Sequence, residues 1–246
     1  MAKDKNLAET AYQLLKEEII LGKLMPGDKL TETVLAERFQ MSRTPIREAL
    51  ANLERDGLAE FSGSRAAVRR YSADEIIQLY ELRQMLEVRA AVEAAGLIDA
   101  AALAKLEFCC QEFDRLVPKL QQKHSNGEPS DNTAAEIALN DFNFHMIVIA
   151  QSSNSFIRKL SLDLRIAMLS VLRARNSEED DNTLQTLRET HWEMYYALKE
   201  RDAAKVQRLF SQHISDSRKK IEKRFGKTQS AELDSHSILR ETMENF

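Results

Sequence analysis

The sequence predicts a mainly α protein in two parts: three short helices closed by a β-hairpin, then an antiparallel all-helical bundle. Three observations carry that expectation. Apolar residues recur every three to four positions through most of the chain. Helix breakers are scarce, with 7 Gly and 4 Pro in 246 residues, and they gather in a few places. The clearest pair of short β-prone runs flanks a Ser-Gly-Ser turn just after the third helix.

Residues 7–21 set Leu7, Ala11, Leu14, Leu15 and Ile19 at helical spacing, and Gly22 with Pro26-Gly27 ends that helix. Thr31 is placed to cap a second helix over 32–39. A tight connection over 40–43 follows. Thr44-Pro45 reads as an N-cap with proline at the first helical position, and that third helix runs to about Arg55 before Asp56-Gly57 stops it. Runs at 58–61 and 67–71 flank Ser62-Gly63-Ser64 as a hairpin. Helices and hairpin in this order make a winged helix-turn-helix over residues 1–72. A second, all-helical domain over 73–225 is expected to hold helices near 74–95, 99–122, 134–151, 154–175, 182–200 and 202–223, with loops at 124–132 and 176–181. The polar, weakly periodic stretch 226–246 reads as a loosely held tail.

Bulk properties narrow the function. A hydrophobic share of 43% supports a real core, and no stretch approaches the roughly 20 apolar residues of a membrane-spanning helix. The charged N-terminus has no apolar signal region. The only cysteines, Cys109 and Cys110, are adjacent in an apolar helical stretch, which reads as a pair of buried reduced thiols in a cytoplasmic protein. Net charge is −4, but it is unevenly spread: residues 1–72 hold 12 Lys and Arg against 11 Asp and Glu, and the remainder holds 23 against 28. For DNA binding the local distribution decides, and the acidity lies in the C-terminal part.

Arg43 and Arg47 lie one turn apart at the start of the third helix, on one face. A recognition helix presents long donors from its first turns to the major groove, and an arginine can pair with guanine O6 and N7. Ser42 and Thr44 are short hydroxyl donors suited to phosphate. Ile46, Ala49, Leu50 and Leu53 form the opposite, apolar face. Arg65 at the hairpin tip is placed to reach a neighbouring groove or phosphate, and Arg69 and Arg70 add local charge. Surface arginines on an ordinary helical hairpin are the competing explanation for any one of these residues taken alone.

The stretch GKLMPGDKLTETVLAERFQMSRTPIREALANLERDGLAEF closely resembles the winged-helix domain of GntR-family transcription regulators. The resemblance covers about residues 10–70. It implies double-stranded DNA as partner, base reading by Arg43 and Arg47, and backbone contacts by Ser42 and Thr44. Two positions depart from the pattern. Thr33 stands where family members often carry a DNA-contacting arginine, and Ala66 where the wing usually has glycine.

Four residues of the second domain form a metal-ligand pattern. Asp141 and His145 are four apart and share a helix face. His191 lies 11 residues before Asp202 and His213 lies 11 after it, and Asp202 reads as the N-cap of the last helix. In an antiparallel hairpin turning there, both histidines stand roughly 16 Å from the turn, at about the same height. If both face Asp141 and His145, a three-His, one-carboxylate set results, suited to Zn²⁺, or to Ni²⁺ or Mn²⁺, with open positions. Each histidine could equally be a surface or core residue with its own hydrogen bond.

The segments ELRQMLEVRAAVEAA, DFNFHMIVIAQSSN and THWEMYYALKERDAAKVQRLFSQH resemble the helical effector (FCD-type) domain of the FadR-like branch of that family, over about residues 74–220. Many members use an Asp, a His four later and two further His as a metal site, which implies the set Asp141, His145, His191 and His213. Thr190 replaces an acidic residue common before the third ligand, and His124 has no counterpart role. The resemblance also implies a small organic acid beside the metal. Arg83 is a candidate to meet its carboxylate, the alternative being a salt bridge to Glu87; Arg165 is a second candidate. It further implies a homodimer on a palindromic operator, more often a repressor released by its effector. Two rival readings remain at this stage: a metal-dependent enzyme, for which no general base stands at a suggestive spacing, and a sensor whose signal is the metal itself.

Overall fold

The computed structural model describes residues 2–20, 22–127, 133–176 and 181–244, with side chains for 7–20, 22–127, 133–168 and 181–223. The N-terminal part consists of α1 (Ala2–Ile20), α2 (Glu32–Phe39), α3 (Arg43–Arg55), β1 (Ala59–Ser62) and β2 (Arg65–Val68). Ala8, Ala11, Leu15 and Ile19 are buried along one stripe of α1, and Ile46, Ala49, Leu50 and Leu53 along one stripe of α3. The two stripes pack together, which turns the opposite side of α3 outward. Gln40 ends α2 at φ 55, and the N–H groups of Gln40 and Met41 reach back to the last turn, closing the tight connection to α3.

The boundaries of α3 differ from the expectation. Ser42, not Thr44, is the N-cap, so Pro45 sits in the third helical position. Proline is harmless there because the first turn's N–H groups have no intrahelical partner. Neither Thr31 nor Ser42 makes a side-chain cap bond. The hairpin is also tighter than expected. Its register pairs Ala59 with Val68 and Ser62 with Arg65, so only Gly63 and Ser64 form the turn, with Gly63 at φ 63. Ala66 is buried at 8% exposure, its carbonyl accepts from Leu30 N–H, and it also lines the groove between α3 and the hairpin.

The second part is the bundle α4 (Ala73–Leu97), α5 (Ala100–Ser125), α6 (Thr133–Ala150), α7 (Ser155–Asn176), α8 (Asp181–Lys199) and α9 (Ala203–Glu244). Ser72 and Glu75 form a reciprocal capping box on α4, Asp99 caps α5, and Asp202 caps α9 through Lys205 N–H. Helix α4 is central and packs against α6, α7, α8 and α9. Its inner face is Tyr80, Arg83, Glu87, Ala90, Ala91, Ala94 and Ala95. The alanines admit close neighbours, and the charged pair lies in the middle of the domain. The last helix does not stop near residue 223: its backbone stays helical through 226–244, a polar run without proline and rich in helix-forming residues. The predicted loops fall partly on 128–132 and 177–180, outside the described residues.

The two parts are tied at their junction. Tyr71 donates to Gly57 O at 2.7 Å, and Arg69 pairs with Glu75 at 2.8 Å while lying over the Tyr71 ring. Arg70 Nε donates to Pro26 O. Arg69 is thus neutralised at the junction, whereas Arg70, bonded to a neutral carbonyl of the N-terminal part, keeps its charge. Among the described residues, no helix is long and apolar enough to cross a membrane.

Candidate nucleic-acid interface and metal centre

Packing the apolar stripe of α3 inward leaves Ser42, Arg43, Thr44 and Arg47 exposed on the other side. Together with the wing they border a groove of about 900 Å³, into whose lining Arg43, Arg47, Arg65 and Lys29 bring positive charge and Glu32 and Glu60 negative charge. Three of the five residues proposed for DNA therefore line one groove, and Ser42 and Thr44 flank it. The residue that sequence reasoning missed is Glu32. Its carboxylate accepts from Arg47 Nε and Nη2, both at 2.9 Å, and from Arg43 Nη2 at 3.0 Å. Those bonds hold the Glu32 carboxyl down at about 2. Its position as the first residue of α2 carries no periodic signal; only the meeting of α2 and α3 reveals it.

The second site is buried. Asp141 and His145 project from α6, His191 from α8 and His213 from α9. His191 Nε2 is 3.4 Å from Asp141 Oδ1, and His145 Nε2 and His213 Nε2 are each 3.8 Å from it. The Nε2 atoms of His145 and His213 are 3.3 Å apart. Two ligands at ~2.0–2.1 Å from one tetrahedral ion stand roughly 3.3 Å apart, so the 3.3 and 3.4 Å separations match donors around a single cation and the two 3.8 Å ones are wider.

The protonation pattern agrees. His191 Nδ1–H donates to Leu187 O at 2.7 Å, and His145 Nδ1 lies 3.0 Å from Glu87 Oε2, though not well aligned with it. With its Nδ1 committed to the Leu187 carbonyl, His191 leaves its Nε2 facing Asp141. Burial pushes the His145 imidazole down to about 4 and that of His213 well below its ordinary range. Burial alone would raise the Asp141 carboxyl, but the His191, His145 and Arg165 side chains hold it well below that range. Neutral imidazoles beside an ionised carboxylate are the ligand forms a divalent cation requires. Asp141 Oδ1 and His191 Nε2 are buried without a hydrogen-bond partner, a costly state unless an ion satisfies them. The residues fit a metal.

Arg83 and Arg165 lie behind this cluster, with 2% and 0% exposure. Arg83 Nε donates to Glu87 Oε1 at 2.8 Å and its guanidinium lies 5.0 Å from the Tyr80 ring centre. The salt bridge to Glu87 is therefore present. Arg165 donates to both Glu87 oxygens, at 3.0 and 3.3 Å, and through Nη1 to Asp141 Oδ2 at 3.3 Å. Glu87 thus binds both arginines and also faces His145. A cavity of about 120 Å³ between α8 and α9, lined by Thr190, Glu193, Gln212 and Lys220, reaches His213 from outside. His124 is elsewhere, 3.3 Å from Asp181.

Residues 7–68 match the family described as bacterial regulatory proteins, gntR family, and residues 78–216 match the FCD domain. The chain belongs to the GntR family, in its FCD-domain branch. This GntR regulator is 26% identical to the HTH-type transcriptional regulator LutR of Bacillus subtilis, over 79% of this chain and 92% of the relative. It is 25% identical to the gluconate operon transcriptional repressor of the same species, over 90% and 87%. A 29% match to the B. subtilis regulator YdhC spans 61% of this chain and 62% of that protein. Among solved structures the fold matches E. coli McbR/YncC with TM-score 0.69 at 22% identity, over 89% of this chain and 98% of that one. A GntR regulator from Rhodococcus sp. RHA1 matches with TM-score 0.70 at 20% identity, over 90% and 98%. The function is DNA-binding transcription regulation with an FCD effector domain, and not catalysis.

Proposed function

We propose that this regulator is a homodimeric repressor of a palindromic operator, controlled by a small carboxylate bound at a metal site in its helical domain. The observation that carries the effector part is the buried, partnerless pair Asp141 Oδ1 and His191 Nε2, facing two further imidazoles. Asp141, His145, His191 and His213 would hold a divalent transition metal, and their residue types suit Zn²⁺ best, with Ni²⁺ or Mn²⁺ possible. When bound, the metal supplies an open position and positive charge for an anion. The charge count supports an anionic effector. Arg83 and Arg165 offset Glu87 and Asp141, so a divalent cation would leave two uncompensated positive charges in a buried site. Arg165, which bridges Glu87 and Asp141, is the better placed of the two arginines to respond to a carboxylate there, and Arg83 supports it through Glu87.

At the DNA, Arg43 and Arg47 would read bases, Ser42 and Thr44 would hold phosphate, and Arg65 would reach from the wing. A two-fold protein needs a two-fold operator, with one recognition helix in each half-site. Repression is the role printed for the gluconate operon relative and is taken over here as a proposal.

The test is selection of source-genome fragments by the purified protein, with an Arg43→Ala/Arg47→Ala control. Release of the selected duplex is then followed on adding metal or a panel of small carboxylic acids. A palindrome lost in the control, with release by an acid in wild type but not in His191→Ala, is expected. Release that tracks free metal without any acid would instead make the metal the signal. A control variant that keeps the palindrome would refute the assignment of the arginines.

A further inference from the structure

We infer that Glu32 is a positioning residue for sequence selection, a carboxylate that presents the guanidinium groups of Arg47 and Arg43 to base edges and disfavours their use on phosphate. This rests on the reading that those two arginines meet bases.

Arg47 gives Glu32 the side edge of its guanidinium, Nε and Nη2, one nitrogen to each carboxylate oxygen. An arginine carries five N–H donors in a rigid planar fork, so this grip leaves the end edge, Nη1 with the second hydrogen of Nη2, uncommitted. Two parallel donors on that edge match the paired O6 and N7 acceptors of guanine. Arg43 joins the same carboxylate by Nη2 alone. The arginine side chains are 61% and 66% exposed, while that of Glu32 is 22% exposed. The donors thus stand out in the groove with the carboxylate behind them. A free arginine on a flexible stem can swing to any phosphate. Here the swing would break charge-assisted bonds and leave a carboxylate facing the anionic backbone. The cost falls on every non-specific complex, whereas a guanine at the right place is met without breaking the grip. The depressed Glu32 carboxyl keeps the clamp charged through the whole working pH range.

The experiment uses the full-length protein and a random-sequence duplex library, with wild type, Glu32→Gln, Glu32→Asp and Arg43→Ala/Arg47→Ala. Affinities for the enriched duplex and for its shuffled version are then measured at several salt concentrations, with circular dichroism melts to confirm folding. For Glu32→Gln, affinity for shuffled DNA should rise severalfold, its salt dependence should steepen by about one counterion, and the enriched-to-shuffled ratio should fall about tenfold. Glu32→Asp keeps the charge but shortens the reach, so its ratio should fall without a gain on shuffled DNA. If Glu32→Gln shifts both affinities equally and Glu32→Asp matches wild type, Glu32 acts only as a charge and the inference is overturned. If the double-alanine protein still enriches the wild-type motif, or wild type enriches none, the base-reading assignment fails as well. Loss of the motif in that variant alone, with unchanged ratios in both Glu32 variants, removes the positioning role and leaves the base readers in place.

Discussion

Ile166, one residue along α7 from the buried Arg165, packs into the hydrophobic core of the winged helix. Phe142, next to Asp141, packs against the same core. Two residues that touch the DNA-binding part therefore sit one step from residues of the buried charge cluster, and α7 itself packs on α1. Ile166→Ala should cost about 2 kcal/mol in chemical denaturation and weaken the coupling between effector and operator while leaving the metal content intact. Full retention of effector-driven release would disprove this route.

His191→Ala and His145→Ala should each abolish co-purifying metal, measured by elemental mass spectrometry. In the wild-type protein stripped with a chelator, added metal should raise the melting temperature, with stability growing by about 1.4 kcal/mol per tenfold metal above the dissociation constant. Unchanged metal content in either variant would show that these imidazoles are not ligands.

Glu87→Gln should be among the most damaging single changes, at about 3 kcal/mol in urea unfolding, because it leaves two guanidinium groups in the interior without their shared counter-charge. Adding Arg165→Met to that background should recover part of the loss. A cost near zero for Glu87→Gln would mean that water reaches the cluster freely.

Cys109 and Cys110 are buried at 4% and 0% exposure, and burial pushes the Cys109 thiol up to about 11 and that of Cys110 higher still. Thiolate is the reactive form, so both should resist alkylation at neutral pH, and labelling should follow global unfolding in a denaturant series. Fast labelling of folded protein at neutral pH would contradict their placement.

Gly27 sits at φ +91, with its N–H bonded to Val68 O, and a Cβ there would run into the Arg70 guanidinium. Gly27→Ala should cost about 1–2 kcal/mol from the backbone conformation alone and also displace Arg70 from Pro26. A calorimetric melt equal to wild type would refute this.

Much of the convergence of the candidate metal-binding residues was legible because their spacing is symmetric in the chain. Asp202 does cap α9, so counting 11 residues each way brings His191 and His213 to one level. Asp141 and His145 follow from a four-residue helical step. The exposed face of α3 was legible from helical periodicity, since the apolar stripe fixes which side is free. Several readings needed correction, the hairpin turn among them. Thr44 is not the cap of α3, Arg69 is paired with Glu75 at the domain junction, and the stretch after residue 225 continues as α9. In each the local composition allowed more than one outcome.

By itself the sequence determined what depends on spacing along one element: helix faces, the Asp202 cap and the family-defining motifs. Only the tertiary structure decided which charges meet. Glu32 finds Arg47 across 15 residues, and Glu87 finds Arg165 across 78. Side-chain periodicity says which way a residue points, but an ion pair forms only where two separate elements bring their atoms within about 3 Å, and that distance is set by how all the helices pack.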